Sequence, residues 1–383
     1  MPVSRSLPFC STYCFNSILS LVALLSSAVL TAKDLPVFSP EDVFEIEYAS
    51  DPRVSPDGSQ VAYVRVSMDI MTDRARRAIW VVDTDGTNHR PLVSGQGNFS
   101  SPRWSPSGDR LAYLSNAEGK TQLFVEWLDE GETARVTALP QSPRGIVWSP
   151  DGEQIAFTRL VPTKPPMLAT MPDKPKGATW AEPANVVDKM TFRLDGGGYL
   201  PSGSEQVFVV PAHGGTPRQM TSSNFPISSA ITWSPDSQSI IFSSNRRDDA
   251  EYHPRQSDLF GIALLTGQIT QITNTAGPEG HPVVSPNGRY LAYTQTADIR
   301  QGYNGAKLTI RDLTTGESRA LTIDLDRSVS DIQWSKDSKS LWISYTDLGM
   351  TRVAKIDLTG KRRQTNIVVG GTAIGRPYTS GSF

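Results

Sequence analysis

Hydrophobic residues recur along the chain in short alternating runs, each preceded by a turn of nearly constant composition. In "VWSPDGEQIAFTR", Val147 to Arg159, Ile155 and Phe157 flank Ala156 at the two-residue period of a β-strand. The preceding Ser149-Pro150-Asp151-Gly152 meets the demands of a type I turn: serine bonds the backbone at the first position, proline fixes φ at the second and glycine suits the fourth. The phrase occurs six times, around Ser55, Ser105, Ser149, Ser234, Ser285 and Ser335, at spacings of 50, 44, 85, 51 and 50 residues. Such a period marks a repeat architecture in which each unit buries its face against the next. Ala62, Ala112, Ala156 and Ala292 keep the middle of the strand small, where a neighbouring sheet can approach. Ile241 and Trp342 depart from this, so their copies must pack differently.

A second phrase follows most copies: "AIWVVDTDGTNHRPLVS" (Ala78 to Ser94), "QVFVVPAHGGTPRQMTS" (Gln206 to Ser222) and "KLTIRDLTTGESRALTI" (Lys307 to Ile323). Each reads as strand, glycine-containing tight turn, strand, hence a β-hairpin. Two hairpins per period give a four-stranded sheet, and radial repetition of such sheets is a β-propeller. A β-helix needs far shorter periods, and a sandwich would not repeat this faithfully. The prediction is an all-β propeller of six to seven recognisable blades over residues 33–383. An incomplete ring of such blades would leave strand edges unpaired and favour association, unless it closes at a smaller size.

Two segments interrupt the pattern. In "DLPVFSPEDVFEIEYASDP" (Asp34 to Pro52), Ser39 suits an N-cap, Pro40 the first helical position and Asp42 reaches back, which predicts a short helix. The long gap is a Pro/Gly-rich insertion at 160–205, whose "VVDKMTFRLDGGGYL" predicts a strand and turn. An insertion of this length at a propeller rim either gates or lines an opening or is a solvated excursion, and the sequence leaves both readings open.

Composition narrows the class. Hydrophobic residues make up 38% and charged residues 20% of 383, which fits a globular protein. A formal net charge of −2, with Lys361-Arg362-Arg363 as the densest basic run, gives no reason to expect nucleic acid. Arg5 precedes the apolar run "ILSLVALLSSAVLTA" (Ile18 to Ala32), the layout of a secretory signal peptide over residues 1–32. The expectation is an exported chain, periplasmic or secreted, that touches membrane only if this leader is retained as an anchor. Cys10 and Cys14 precede the apolar run, so its removal leaves no cysteine for a nucleophile or a thiolate zinc site.

Catalytic chemistry is sparse. No nucleophile elbow, G-x-S-x-G, occurs, and the four histidines, His89, His213, His253 and His281, form no metal-binding motif. "DTDG" (Asp83 to Gly86) lacks the later ligands of a calcium loop and reads as a hairpin turn. "GGTAIGR" (Gly370 to Arg376) lacks the Lys-Ser/Thr pair of a P-loop. The tract "RRDDAEYHPRQSD" (Arg246 to Asp258) reads as a charged loop connecting blades. These readings assign no catalytic, cofactor-binding or metal-ligating residue, and no cofactor.

Longer stretches carry a family resemblance. "FSPEDVFEIEYASDPRVSPDGSQVAYV" (Phe38 to Val64), "MTFRLDGGGYLPSGSEQVFVVPAHGGTPRQMTS" (Met190 to Ser222), "SSNRRDDAEYHPRQSDLF" (Ser243 to Phe260) and "VVGGTAIGRPYTSGSF" (Val368 to Phe383) are similar to exported bacterial serine peptidases of the prolyl oligopeptidase family, which includes dipeptidyl and acylaminoacyl peptidases. The resemblance implies a propeller that restricts access to short peptides, followed by an α/β-hydrolase domain with a Ser-Asp-His triad. No position here matches the family's catalytic motifs. The expectation is therefore a non-catalytic, substrate-gating portion, inactive alone, whose partners are short peptides reaching the full-length enzyme. The SPDG phrase is shared with Tol-type periplasmic propellers, so a non-catalytic propeller binding a protein or peptide partner is the alternative.

Overall fold

The structure, a computed structural model, describes residues 37–164, 166–169, 172–181, 184, 186–298, 303–369 and 383. The leader at 1–32 and the Gly370–Arg376 stretch lie outside them. Of the first of two units, residues 37–46 are described, and in them a 3₁₀ helix spans Pro40–Glu45. The Ser39 N–H donates to Asp42 Oδ2 at 2.7 Å, the reach-back that the sequence predicts. Glu47–Phe383 forms the second unit.

Among the described residues this second unit contains six four-stranded antiparallel sheets, each built from strands in chain order, and one two-stranded hairpin. Blade 1 contains β1 (Glu47–Val54), β2 (Gln60–Asp69), β3 (Arg74–Asp83) and β4 (Arg90–Val93). Blade 2 contains β5 (Phe99–Trp104), β6 (Arg110–Ser115), β7 (Gln122–Trp127) and β8 (Glu132–Arg135). Blade 3 opens with β9 (Arg144–Trp148) and β10 (Gln154–Pro162). A separate hairpin of β11 (Arg193–Leu194) and β12 (Gly198–Tyr199) follows, before β13 (Gly203–Pro211) and β14 (Arg218–Gln219) complete the blade. Blade 4 contains β15 (Ile227–Trp233), β16 (Ser239–Ser244), β17 (Asp258–Ala263) and β18 (Ile269–Gln271). Blade 5 contains β19 (Glu279–Val284), β20 (Tyr290–Gln295), β21 (Lys307–Asp312) and β22 (Ser318–Ala320). Blade 6 contains β23 (Val329–Trp334), β24 (Ser340–Asp347), β25 (Met350–Asp357) and β26 (Arg362–Val369). The first strands of successive sheets run beside one another, β1 by β5 and onward to β19 by β23, so they are the innermost strands.

The repeated phrase builds each inner hairpin. In all six blades the phrase serine accepts, at 2.9–3.1 Å, the backbone N–H five residues ahead. Its hydroxyl donates to a nearby Asp or Asn, such as Asp57, Asp151 or Asn287. These serines are turn residues, tied down on both sides.

The strand after the turn packs on two neighbours at once. Ile155 and Phe157 face back onto Leu114, Leu123 and Val125 of blade 2, while Ala156 faces forward onto Ile240 and Phe242 of blade 4. Where Ile241 replaces alanine it meets Leu291 and Tyr293 of blade 5. Four tryptophans reinforce these joints. The indoles of Trp104, Trp148, Trp233 and Trp334 donate to Arg53 O, Arg103 O, Val147 O and Val283 O of the preceding blade, at 2.8, 2.9, 3.1 and 3.0 Å. Each carbonyl lies on an innermost strand, which the sheet pairs on one side only.

Among the described residues, five buried apolar clusters join blades 1 to 2, 2 to 3, 3 to 4, 4 to 5 and 5 to 6. None spans blades 6 and 1. There Lys336 Nζ donates to Pro56 O at 2.6 Å. Val54, in the tryptophan position, is 60% exposed, and Val61 and Tyr63 are only half-buried. Trp342, on the forward face of blade 6, is half-buried beneath Lys355 Nζ, 5.4 Å from its ring centroid. Both departures from alanine thus mark joints that pack differently.

Candidate functional site: the loop-bearing face

Antiparallel strands taken in chain order sort the connections by end. First-to-second and third-to-fourth turns emerge at one end of the ring, and these are the tight turns of the two repeated phrases. Second-to-third loops and the links between blades emerge at the other. In blades 1, 2 and 6 the second-to-third links are short: 70–73, 116–121 and 348–349. In blades 3, 4 and 5 they are long: 163–202, 245–257 and 296–306. Three successive blades therefore raise their irregular segments on one face.

The insertion lies inside blade 3, since β10 and β13 pair directly from Gln154↔Pro211 to Pro162↔Gly203. Its predicted strand and turn form the β11–β12 hairpin, closed by Arg193↔Tyr199 and Leu194↔Gly198. Glycine is required at the turn, where Gly196 and Gly198 have φ of +74° and +70°. The charged tract corrects its own reading: it joins β16 to β17 within blade 4 and connects no blades. Within it Asp249 pairs with Arg247 at 2.9 Å and with His253 at 3.3 Å.

These loops expose aromatic rings: Trp180, Phe192 and Tyr199 on the first, Tyr252 on the second and Tyr303 on the third. Exposed aromatics gathered on neighbouring loops mark a recognition surface more than a solvated excursion. At their roots, charged groups lie against the buried rings of Phe208 and Phe260 and the half-buried ring of Phe225. The Arg159 guanidinium sits 4.3 Å from the Phe208 centroid, and Arg246 lies 5.1 Å from Phe225 and 5.5 Å from Phe260. Burial lowers the pKa of both arginines. Burial also raises the Glu205 carboxyl, with Arg144 Nη1 3.8 Å away opposing it. A cleft of about 200 Å³, lined by Val161, Thr163, Ser204, Gln206, Ser223 and Asn224, opens at the root of the blade 3 insertion.

Between blades 4 and 5 the tryptophan is absent (Val284), and polar groups tie the joint. Glu279, 2% exposed, opens β19. Its carboxyl accepts from Thr273 Oγ1 and, at 2.6 Å, from Thr275 Oγ1. Its carbonyl accepts from Ser243 Oγ at 2.6 Å and Ser257 Oγ at 2.8 Å. Burial raises the Glu279 pKa, and the two threonine hydroxyls oppose that rise. Ser257 ends the loop of blade 4, so this knot fixes the loop's root against blade 5. Sequence reading passed over Glu279, although a charged residue standing where blades 2 and 6 carry Phe99 and Val329 is a visible signal.

The histidines do not assemble. His89 bonds Tyr63 Oη at 2.5 Å in blade 1, His213 follows β13, His253 lies in the blade 4 loop and His281 on β19. Among the described residues no group of three His, Cys, Asp or Glu converges as a metal site would. No helix among them is long and apolar enough to cross a membrane. What this face presents is aromatic, guanidinium and carboxyl groups.

This fold defines a six-bladed β-propeller with one face given over to loops. Residues 58–165 match the model of the TolB beta propeller domain, and residues 178–299 match that of the dipeptidyl peptidase IV N-terminal region. The second match takes in the β11–β12 hairpin, the 245–257 loop and the start of the 296–306 loop. Dipeptidyl-peptidase 5 of Porphyromonas gingivalis is 26% identical over 341 residues, 85% of this chain and 49% of that protein. The Pyrococcus horikoshii acylaminoacyl peptidase structure superposes with TM-score 0.66 at 17% identity, over 85% of this chain and 46% of its own. The β-propeller domain of the Trilobed protease from Pyrococcus furiosus, described as having an open velcro topology, gives 0.57 at 14% identity, over 86% and 84%. Those two structures bear on fold alone. The chain spans about half the length of the curated peptidases it matches.

In sequence the chain is thus similar to the propeller-bearing part of dipeptidyl peptidases. The Tol-type likeness is weaker: the TolB of Alkalilimnicola ehrlichii aligns over 89 residues, 23% of this chain, at 35% identity.

Proposed function

We propose that this propeller is the substrate-admitting, non-catalytic part of an exported serine peptidase that acts on short peptides. One observation carries the reading: the stretch that matches the dipeptidyl peptidase region bears four of the five exposed loop aromatics, Trp180, Phe192, Tyr199 and Tyr252. Rings and half-buried charges at a ring's mouth bind extended peptide by stacking and hydrogen bonding, while the ring excludes folded protein. The apolar leader supports export to the periplasm or medium. In this reading the chain breaks no bond itself, since its phrase serines are committed to turns.

Titration of the purified chain with peptides of two to eight residues, and with a folded protein, tests the proposal by calorimetry. Saturable binding of short peptides alone is expected, without cleavage of chromogenic dipeptide anilides. Absence of peptide binding, or cleavage by the chain itself, overturns it.

A further inference from the structure

Arginine appears in two successive blades at the position two residues before the phrase serine, on the innermost strands. Arg53 on β1 and Arg103 on β5 occupy the position held by Val147, Thr232, Val283 and Gln333 in the other blades. Both converge on one carboxylate. Arg53 Nη2 lies 2.6 Å from Asp51 Oδ1, and Arg103 Nη1 lies 2.9 Å from Asp51 Oδ2. Asp51 reaches them from a bulge of β1, where its own φ is +49°.

Two guanidiniums on one carboxylate leave an excess positive charge. They present ten N–H donors between them by the chemistry of arginine, so one carboxylate and the Pro102 carbonyl, 2.6 Å from Arg103 Nη1, satisfy few of them. Arg53 Nε is buried without a partner. Burial and the like charge of Arg53 lower the Arg103 pKa, with Asp51 opposing them. Asp331, another carboxylate on the inner strands, bonds Ser344 instead. All three side chains of the cluster stay between one quarter and about one third exposed, and on innermost strands the open side is the channel.

We propose that Arg53 and Arg103 form a carboxylate-binding station on the channel wall, which holds the free α-carboxylate of a short peptide in the ring. The inference rests on the peptide-admitting role proposed above and adds the end of the peptide that is read. A paired-arginine site suits a planar carboxylate because the fork of N–H donors matches its two oxygens. Asp51 holds the two arginines in place and competes with the ligand, so it sets the affinity. An acidic side chain offers the same chemistry as a C-terminus, and the test separates the two.

The test is calorimetry on the whole chain with three forms of one short peptide: free acid, C-terminal amide, and amide carrying one glutamate. The free acid should bind about tenfold more tightly than the plain amide, as expected of charge-assisted hydrogen bonds, and lose this advantage as salt rises. Arg103→Gln should abolish the difference while leaving amide binding in place. Asp51→Asn should strengthen acid binding severalfold, which a merely structural ion pair would not do. If the glutamate-bearing amide equals the free acid, the station reads any carboxylate and its assignment to the C-terminus is overturned. Equal binding of acid and plain amide by the unaltered chain sinks the station and leaves the peptide-admitting role standing. Failure of all three peptides to bind sinks that role itself. The comparison in the unaltered chain decides the matter even if a variant does not fold.

Discussion

Trp148→Phe is the sharpest test of how the blades are held together. The Trp148 indole N–H meets Arg103 O at 2.9 Å across the joint between blades 2 and 3, and its ring is 7% exposed. The phenyl ring keeps most of the packing but donates nothing. Losing the hydrogen bond costs about 1 kcal/mol, and losing ~40 Å² of buried apolar area at ~25 cal/mol per Å² costs about 1 kcal/mol more. The expected destabilisation is ~2 kcal/mol, rising to ~4 kcal/mol for Trp148→Ala, which also leaves a cavity. Urea unfolding followed by far-ultraviolet circular dichroism reads this without depending on tryptophan fluorescence. With a slope of ~3 kcal/mol per molar for a domain of this size, the Phe variant should unfold about 0.7 M earlier. A midpoint within ~0.2 M of the parent would refute the idea that these indoles fasten one blade to the next.

Three further outcomes follow from the same structure. Burial raises the Glu279 carboxyl above the ordinary glutamate range, so the folded chain holds that proton more tightly than the unfolded chain. The stabilisation is complete below the unfolded pKa and is lost as pH rises through the folded one, so Glu279→Gln should flatten the decline of melting temperature above pH 4.5. An unchanged pH profile would remove Glu279 from this role. Lys336→Met should raise amide exchange in β1 and β23 while shifting global stability by no more than ~1 kcal/mol, and uniform exchange across all blades would contradict it. Replacing 163–202 by a two-residue turn should leave the chain folded, because β10 and β13 pair up to Pro162↔Gly203, while it weakens peptide binding. Unaltered binding would show that the insertion does not line the site.

The sequence discloses what is local. Turn chemistry around Ser149 and alternation through Ile155 and Phe157 are written within a dozen residues, so the blades, their number and the hairpins were legible. Contacts made across the ring are harder to see. The tryptophan of each phrase bonds a carbonyl on another sheet, so its replacement by Val54 and Val284 was visible as letters but silent as meaning. Which end carries the loops depends on strand order, and the Arg246–Asp258 tract was assigned to the wrong connection for that reason. Arg53 and Arg103 stand 50 residues apart and meet only because equivalent positions stack around an axis.

The order of strands within the sheets also bears on how the molecule is made. No sheet among the described residues borrows a strand from the far end of the chain. Each blade can complete its own hydrogen bonds soon after its residues emerge during synthesis, and the next can condense on the apolar face it presents. Short-range pairing of this kind lowers the entropy of loop closure and favours vectorial folding, blade after blade, from the first repeat to the last.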